Sequence, residues 1–173
     1  MHLLLPALLI LLGAPALGLP SPGLPASASA RPSAGVPLSA FRWPVAGAAV
    51  VRRFDPPPQP WLAGHRGVDL AAAPGVPVGA SGAGTIVFAG TVAGRGVVSV
   101  AHPGGLRTTY EPVTAADLQP GDAVAAGDAL GTLEAAHPGC PAAACLHWGL
   151  RRGTEYLDPL TLLGLGRVRL RPL

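Results

Sequence analysis

Two short segments of the chain contain side chains that can bind a metal ion or transfer protons. The first, GHRGVDL at residues 64–70, places His65 and Asp69 four residues apart. This spacing often puts two side chains on one face of a helix, but Gly67 and the proline-rich run before it disfavour a helix. We expect instead a loop that enters a strand and folds back, so that the two side chains converge.

The second segment, CLHWGLR at residues 145–151, has the pattern of a β-strand. Because side chains alternate along a strand, Cys145, His147 and Gly149 are predicted to share one face. Taken separately, an isolated His–Asp pair is more often a surface or capping pair than a pair of metal ligands, and a lone strand histidine is usually structural. Only the combination of the two segments favours a chemical site.

Together the two segments resemble the lysostaphin-type (LytM-like) zinc metalloendopeptidase family. That family carries a His-x-x-x-Asp pair in a G-H-x-G-x-D-[LI] segment and a His-x-His strand motif near its C-terminus. The resemblance covers residues 41–163 and includes, in the family's order, the runs DLAAAPGVPV, GTIVFAG and PGDAVAAGD. It implies that His65, Asp69 and His147 bind one Zn²⁺ ion.

The implied site has chemistry suited to peptide hydrolysis. Three protein ligands leave one coordination position open, which is typical of a catalytic zinc site, and imidazole and carboxylate groups suit zinc. Such an ion acidifies water and polarises a scissile carbonyl. The resemblance implies a peptidoglycan peptide as substrate, lying in a groove lined by glycine and small residues such as those at 79–84.

The sequence departs from the family at two histidines that bind no metal. Cys145 stands at the first position of the His-x-His motif, and the family's Tyr-x-His motif reads Tyr110, Glu111 and Pro112. Losing one such acid–base or electrostatic partner costs about 10²–10⁴ in rate. The candidates for a replacement catalytic group are His137, in the loop before the last strand, and Tyr110, through its hydroxyl. Strand alternation predicts that Glu111 points away.

Cys140 and Cys145 are the only cysteines. In an exported protein a disulfide is the default expectation, and closing so short a loop would contribute about 2 kcal/mol in the chain-entropy model. The rival is a Cys145 thiolate as a fourth zinc ligand, which would close the site and make the metal structural. We favour the disulfide.

The elements that must position these residues are predicted to be short strands. The chain has 24 Gly and 21 Pro residues, which leaves little room for long helices. We predict a hairpin around residues 103–105, a short helical turn at 157–163, and Ile86 and Phe88 on one face of a strand. His102 is expected to be structural. The resemblance implies an all-β, LytM-like antiparallel sheet domain of the duplicated hybrid motif type, with a substrate groove.

The expected domain covers residues 41–166, between segments that do not resemble a folded core. Residues 1–18 are predicted to be a signal peptide, with a cleavage site that could lie as late as residue 30. Residues 19–40 are a linker rich in Pro, Ala and Ser, expected to be disordered, and residues 167–173 are a C-terminal tail. We therefore expect an exported protein, extracellular or cell-wall associated, with retention of the N-terminal segment as a membrane anchor as the alternative.

The charge pattern narrows the choice of partner. The net charge is only +3, and the arginines are scattered along the chain, so nucleic acid is not expected as a partner. The absence of lysine excludes a carrier domain with a modified lysine arm. We expect a monomeric zinc endopeptidase acting on peptidoglycan cross-links. The alternative is a catalytically degenerate module that keeps the metal, binds wall peptides and regulates a partner cell-wall hydrolase.

Overall fold

The computed structural model describes residues 40–135 and 139–166, and in this part of the chain the regular structure is almost entirely β. The predicted signal peptide, the C-terminal tail, His137 and all of the linker except Ala40 lie outside the described residues. The strands are β1 (Ala49–Arg52), β2 (Gly67–Ala72), β3 (Pro77–Gly79), β4 (Gly84–Val92), β5 (Arg95–Ala101), β6 (Leu106–Glu111), β7 (Val113–Ala115), β8 (Ala123–Val124), β9 (Ala129–Leu133), β10 (Ala144–Arg152) and β11 (Glu155–Leu157).

The strands form two antiparallel sheets. The larger sheet has the order β1-β2-β10-β6-β5-β4-β8, with β11 paired to β10, and the smaller sheet has the order β3-β9-β7. Every strand pair is antiparallel. The predicted all-β antiparallel fold is therefore confirmed. Among the described residues, no helix is long and apolar enough to cross a membrane.

The core is built from residues of both sheets. Trp148 of β10 and Tyr110 of β6 are its largest fully buried side chains, and they are cross-strand partners. In β10 the residues Leu146, Trp148 and Leu150 face this core. Because side chains alternate along a strand, the intervening residues, beginning with His147, must lie on the opposite face of the sheet.

Strand β4 departs from the predicted alternation. Ile86 is fully buried in the core, whereas Phe88 lines a cavity on the opposite face of the sheet. The register between β4 and β5 shifts between these two residues, which is the signature of a β-bulge. The prediction that Ile86 and Phe88 share a face was wrong because the extra residue changes the direction of the side chains that follow.

Two predicted local features are present. Strands β5 and β6 pair as a hairpin through a 3-10 turn at Pro103–Gly105. A second 3-10 turn covers Pro159–Leu163, and the Asp158 side chain accepts a hydrogen bond of 3.0 Å from the Leu160 amide at its start. This cap satisfies one of the amides that a helical turn leaves unpaired.

Candidate metal centre

Three elements bring the metal-ligand candidates together. His65 precedes β2 and is held by a pair of backbone hydrogen bonds to Asp55, of 2.9 and 2.7 Å. Asp69 lies within β2, and its cross-strand partner in β10 is His147. Directly opposed residues of an antiparallel pair project on the same face, so the sheet register itself places Asp69 beside His147.

The three side chains converge on one small volume. His65 Nε2 lies 2.9 Å from Asp69 Oδ1 and 3.1 Å from His147 Nδ1. His147 Nδ1 lies 2.8 Å from the same Asp69 oxygen. In the part of the chain that the structure describes, this is the only group of three or more such side chains able to hold a metal ion. The structure thus brings together all three residues that the sequence suggested as ligands.

A backbone contact sets the protonation of His65. Its Nδ1 lies 2.7 Å from the carbonyl oxygen of Arg53. Since a carbonyl oxygen only accepts, Nδ1 must carry the proton, and the lone pair of the neutral ring is left on Nε2. That lone pair faces Asp69 and His147, which is the arrangement of a metal-binding histidine oriented by an outer partner.

Asp69 is a buried carboxylate with unsatisfied bonding capacity. Burial by itself raises its pKa, but the close contacts with the His147 and His65 imidazoles outweigh burial and hold the pKa well below the usual range for aspartate. The carboxylate is therefore ionised at neutral pH. Its second oxygen, Oδ2, is buried without a hydrogen-bond partner among the described residues. A buried negative charge with a spare oxygen fits a cation better than it fits an apoprotein core.

Gly67 leaves the space that His147 occupies. A Cβ atom at Gly67 would lie 2.5 Å from the Trp148 carbonyl oxygen and 2.7 Å from His147 Nε2. Real Cβ atoms do not approach other atoms so closely, so any side chain here would displace the histidine. The glycine of the GHRGVDL segment is thus explained by the His147 imidazole and the Trp148 carbonyl that pack against it.

An open groove runs from the metal centre over the face of the larger sheet. A cavity of about 280 Å³ contains the three ligands together with Arg52, Arg95, Glu111 and Pro112. A neighbouring cavity of about 410 Å³ shares His147 and Glu111 with it and continues over β10 and β6. Residues 79–84, which the sequence suggested as groove lining, line neither cavity, and Ala80 and Ser81 are fully buried. That expectation was wrong, since Ala80, Ser81 and Gly82 are buried and the rest of the segment lies outside both cavities.

The two cysteines form the predicted disulfide, Cys140–Cys145. Cys145 is fully buried, and its sulfur is bonded to that of Cys140, so it is not a thiolate. The rival reading of Cys145 as a fourth, thiolate ligand is therefore excluded for this structure. The candidate ligand set remains two histidines and one aspartate, and such a set would leave one coordination position open on a bound zinc ion.

Tyr110 does not reach the groove. It is fully buried on the core face of β6, where its hydroxyl accepts a hydrogen bond of 2.8 Å from the Ser81 amide and lies 2.8 Å from Thr108 Oγ1. Burial raises the pKa of this phenol, although its hydrogen bonds lower it in part. Its placement conflicts with the suggested role as a replacement catalytic group. His137, the other candidate, lies outside the described residues.

Sequence reasoning missed the charged pair that does line the site. Glu111 is the cross-strand partner of His147 on β6, and Arg95 Nε donates to its Oε2 at 2.7 Å. The prediction that Glu111 points away was wrong because it shares its register position, and hence its face, with His147. No local motif marks Arg95, which reaches the site only through the pairing of β5 with β6.

Comparison with known proteins agrees with this geometry. The family model for Peptidase family M23 matches residues 63–159, more than half of the chain. The chain belongs to Peptidase family M23. An uncharacterized protein of Mycobacterium tuberculosis is 57% identical over 129 residues, which cover 72% of this chain and 51% of that protein. The chain thus spans about half the length of the curated relatives it matches.

Solved structures share the fold. The solution structure of lysostaphin aligns with a TM-score of 0.56 at 25% identity, over 72% of this chain and 54% of that chain. The complex of SpoIIIAH with SpoIIQ contains a chain that aligns with a TM-score of 0.60 at 23% identity, over 70% of this chain and 98% of that one. At this level of identity the second match shows the fold alone. The resemblance drawn from the sequence motifs is confirmed.

Proposed function

We propose that the chain is an exported zinc metalloendopeptidase that cuts peptide cross-links of peptidoglycan. The observation that carries the proposal is the convergence of His65, Asp69 and His147, within 3.1 Å of one another, at one end of an open groove. Two neutral imidazoles and one carboxylate are a ligand set that zinc prefers. Zinc held there would act as a Lewis acid that acidifies water and polarises the scissile carbonyl.

The residues around the ligands supply the remaining chemistry. We assign Glu111 the role of general base in place of the two missing histidines. Its Oε2 is held by Arg95 at 2.7 Å, and its Oε1 accepts no hydrogen bond from the described residues, so Oε1 can take a proton from the attacking water. Arg52 lines the same cavity, and its positive charge would stabilise the negative charge that develops on the substrate oxygen.

The first experiment measures metal content and turnover together. The purified full chain, oxidised, would have its zinc stoichiometry determined and would then be incubated with peptidoglycan while new amino termini are counted. We expect about one zinc per chain and metal-dependent release of amino termini. His147→Ala should lose both. Release that continues unchanged in a metal-free sample would overturn the proposal.

The assignment of Glu111 predicts a selective loss of turnover. Glu111→Gln keeps the size of the side chain but removes the base, so the cleavage rate should fall by about 10²–10⁴ while zinc stoichiometry stays the same. Glu134→Gln, which makes the same chemical change at a residue that lines neither cavity, is the control and should keep full activity. Equal rates in the two variants would remove Glu111 from the mechanism.

A second candidate function rests on the departures from the family pattern. Pro112 and the disulfide-bonded Cys145 occupy the positions of the usual non-ligand histidines. We propose as the alternative a module that keeps the metal and the groove, binds wall peptides and regulates a partner hydrolase. Bound zinc with saturable peptide binding and no release of amino termini would favour this function over the peptidase.

Export and attachment to the cell wall are part of the proposal. The apolar leader and the disulfide support an oxidising compartment outside the cytoplasm. Fractionation of cells that produce the full chain should find it in the medium, wall or membrane fraction. Recovery with the cytoplasmic proteins and with both thiols reduced would contradict this part.

A further inference from the structure

Four side chains form a row across the groove beyond the metal centre. Arg107 of β6 and Arg151 of β10 are direct cross-strand partners, and Arg151 is paired in turn with Tyr156 of β11. The guanidinium of Arg66 lies 5.6 Å from the centroid of the Tyr156 ring. All four side chains line the cavity of about 410 Å³ that continues the groove. We call this set the arginine row.

Arg107 and Arg151 have no acidic partner among the described residues. Like charges directly opposite each other destabilise a sheet. A carboxylate close to Arg107 and Arg151 would therefore be expected to offset their repulsion. All nine Asp and Glu residues of the chain fall within the described residues, and of these only Glu111 lines this cavity. Glu111 is already bonded to Arg95. In the described part of the chain, neither Arg107 nor Arg151 forms an ion pair.

Arg107 carries the clearest sign of a missing ligand. Its Nε atom is buried and has no hydrogen-bond partner among the described residues. Burial and the positive charge of Arg151 both lower the pKa of Arg107. A buried donor left unpaired destabilises the fold, and an anion placed between the two guanidinium groups would satisfy the donor and offset the repulsion.

Arg66 differs from this pair because the protein already uses the donors of its Nη2. Its Nη2 donates to the carbonyl oxygens of Pro60 and Leu62, at 2.6 and 3.1 Å. These bonds and the Tyr156 ring hold the guanidinium in place at the margin of the cavity. It adds positive charge to the groove, while Arg107 and Arg151 keep donors for a ligand.

The row lies in line with the metal centre. Arg151 follows His147 by four positions on the same face of β10, which is roughly 13 Å along an extended strand. Only Gly149 stands between them on that face, and it presents no side chain. An extended peptide of about four residues therefore fits between the metal ligands and the row.

We propose that Arg107 and Arg151 form a subsite for a carboxylate group of the bound peptide, and that the chain thereby selects acidic wall peptides over neutral ones. This inference rests on the proposed function, because it takes the groove to be the place where a wall peptide lies. The chemistry recognised is an ionised carboxylate presented about four residues from the bond at the metal, which two guanidinium groups bind through charge-assisted hydrogen bonds.

The test compares two ligands that differ only in charge. The zinc-loaded full chain would be titrated in a calorimeter with an uncross-linked wall stem peptide carrying free carboxylates, and with the same peptide after amidation of those carboxylates. Neither ligand contains a cross-link, so binding is measured apart from cleavage. We expect the free acid to bind at least about tenfold more tightly at low salt, with the difference shrinking as salt is added.

Variants locate the effect. Arg107→Gln and Arg151→Gln should each weaken binding of the acidic peptide about tenfold and leave binding of the amidated peptide unchanged. Arg152→Gln makes the same charge change on the next residue of β10, which is exposed and lines neither cavity, and it should bind both peptides as the unmodified chain does. Urea unfolding would confirm that the three variants are folded. If a variant does not fold, the comparison of the acidic and amidated peptides on the unmodified chain still tests the subsite.

The outcomes separate this inference from the proposed peptidase. Equal affinity for the two peptides, or an undiminished preference in both Arg107→Gln and Arg151→Gln, would overturn the subsite even if the protein cleaves peptidoglycan. An arginine-dependent preference for the acidic peptide supports the subsite even if no amino termini are released.

Discussion

Close packing around the three candidate metal ligands gives single residues a direct effect on the site. The Arg53 carbonyl fixes the tautomer of His65 from one side, and the absence of a side chain at Gly67 makes room for His147 on the other. Asp69 joins the two histidines through one oxygen. Each candidate ligand is thus held in place by the protein, so a metal ion that binds here would need little reordering of the site.

At the residue scale we predict that Gly67→Ala damages the metal site. The added methyl group would overlap His147 and the Trp148 carbonyl, so zinc affinity should fall by at least about tenfold, and the free energy of unfolding should fall by about 1–3 kcal/mol. Chelator competition and urea denaturation measure the two effects.

Gly149→Ala is the matched control, because a Cβ there meets nothing closer than Thr109 at 3.8 Å. It should retain zinc affinity and stability. If both variants bound zinc like the unmodified chain, the steric explanation for Gly67 would be wrong.

Strand β10 is the element on which the site and the core both depend. One face carries Leu146 and Trp148 into the core, and the other carries His147 and Arg151 into the groove. Its pairing with β2 sets the ligand pair, and its pairing with β6 sets the neighbours of those ligands. The strand is tied at its start by the disulfide at Cys145, which restrains the loop just before the ligand.

We predict that the Cys140–Cys145 disulfide stabilises the fold and that neither of its sulfur atoms binds the metal. Replacing both Cys140 and Cys145 by Ala should lower the free energy of unfolding by about 2 kcal/mol, because the short loop is no longer closed in the unfolded chain. Zinc stoichiometry should remain unchanged. Urea denaturation with parallel metal analysis checks both statements, and loss of bound zinc from a folded double variant would restore Cys145 as a ligand candidate.

A buried polar network surrounds His102 on the core side of the larger sheet, away from the groove. His102 donates from Nδ1 to the Ala83 carbonyl at 2.8 Å, and its Nε2 lies 2.7 Å from Thr108 Oγ1. Thr108 is also in contact with the Tyr110 hydroxyl at 2.8 Å, and the Phe41 ring packs edge-on against the imidazole. This placement agrees with the structural role expected for His102. The residues that contact its ring carry no charged side chain.

At the scale of the whole molecule we predict that stability falls in mildly acidic solution. Burial lowers the pKa of His102 below its usual value of 6.5, although the hydrogen bond to Ala83 raises it in part. The unfolded chain therefore binds more protons than the folded chain just below that pH. The stabilising contribution is complete above about pH 6.5 and is lost as the pH falls toward the folded-state pKa.

The free energy of unfolding of chelator-treated protein, measured from pH 7.5 to 5, checks this prediction. His102→Asn keeps a donor for the Ala83 carbonyl but does not titrate, so its stability should depend less on pH over this range. An identical pH slope in the two proteins would show that His102 is not responsible.

The ordered motifs over residues 41–163 were enough to suggest the family, and with it the ligand candidates, because such motifs are patterns of neighbouring positions that can be recognised along the chain. The hairpin, the capped turn and the disulfide were accessible for the same reason. The direction of Phe88 depended on a bulge in the pairing of β4 with β5, and the neighbours of His147 depended on the register between β6 and β10. Glu111, Arg95 and the arginine row therefore emerged only from the tertiary structure, since strand register is decided by which faces can be buried together and not by any one strand alone.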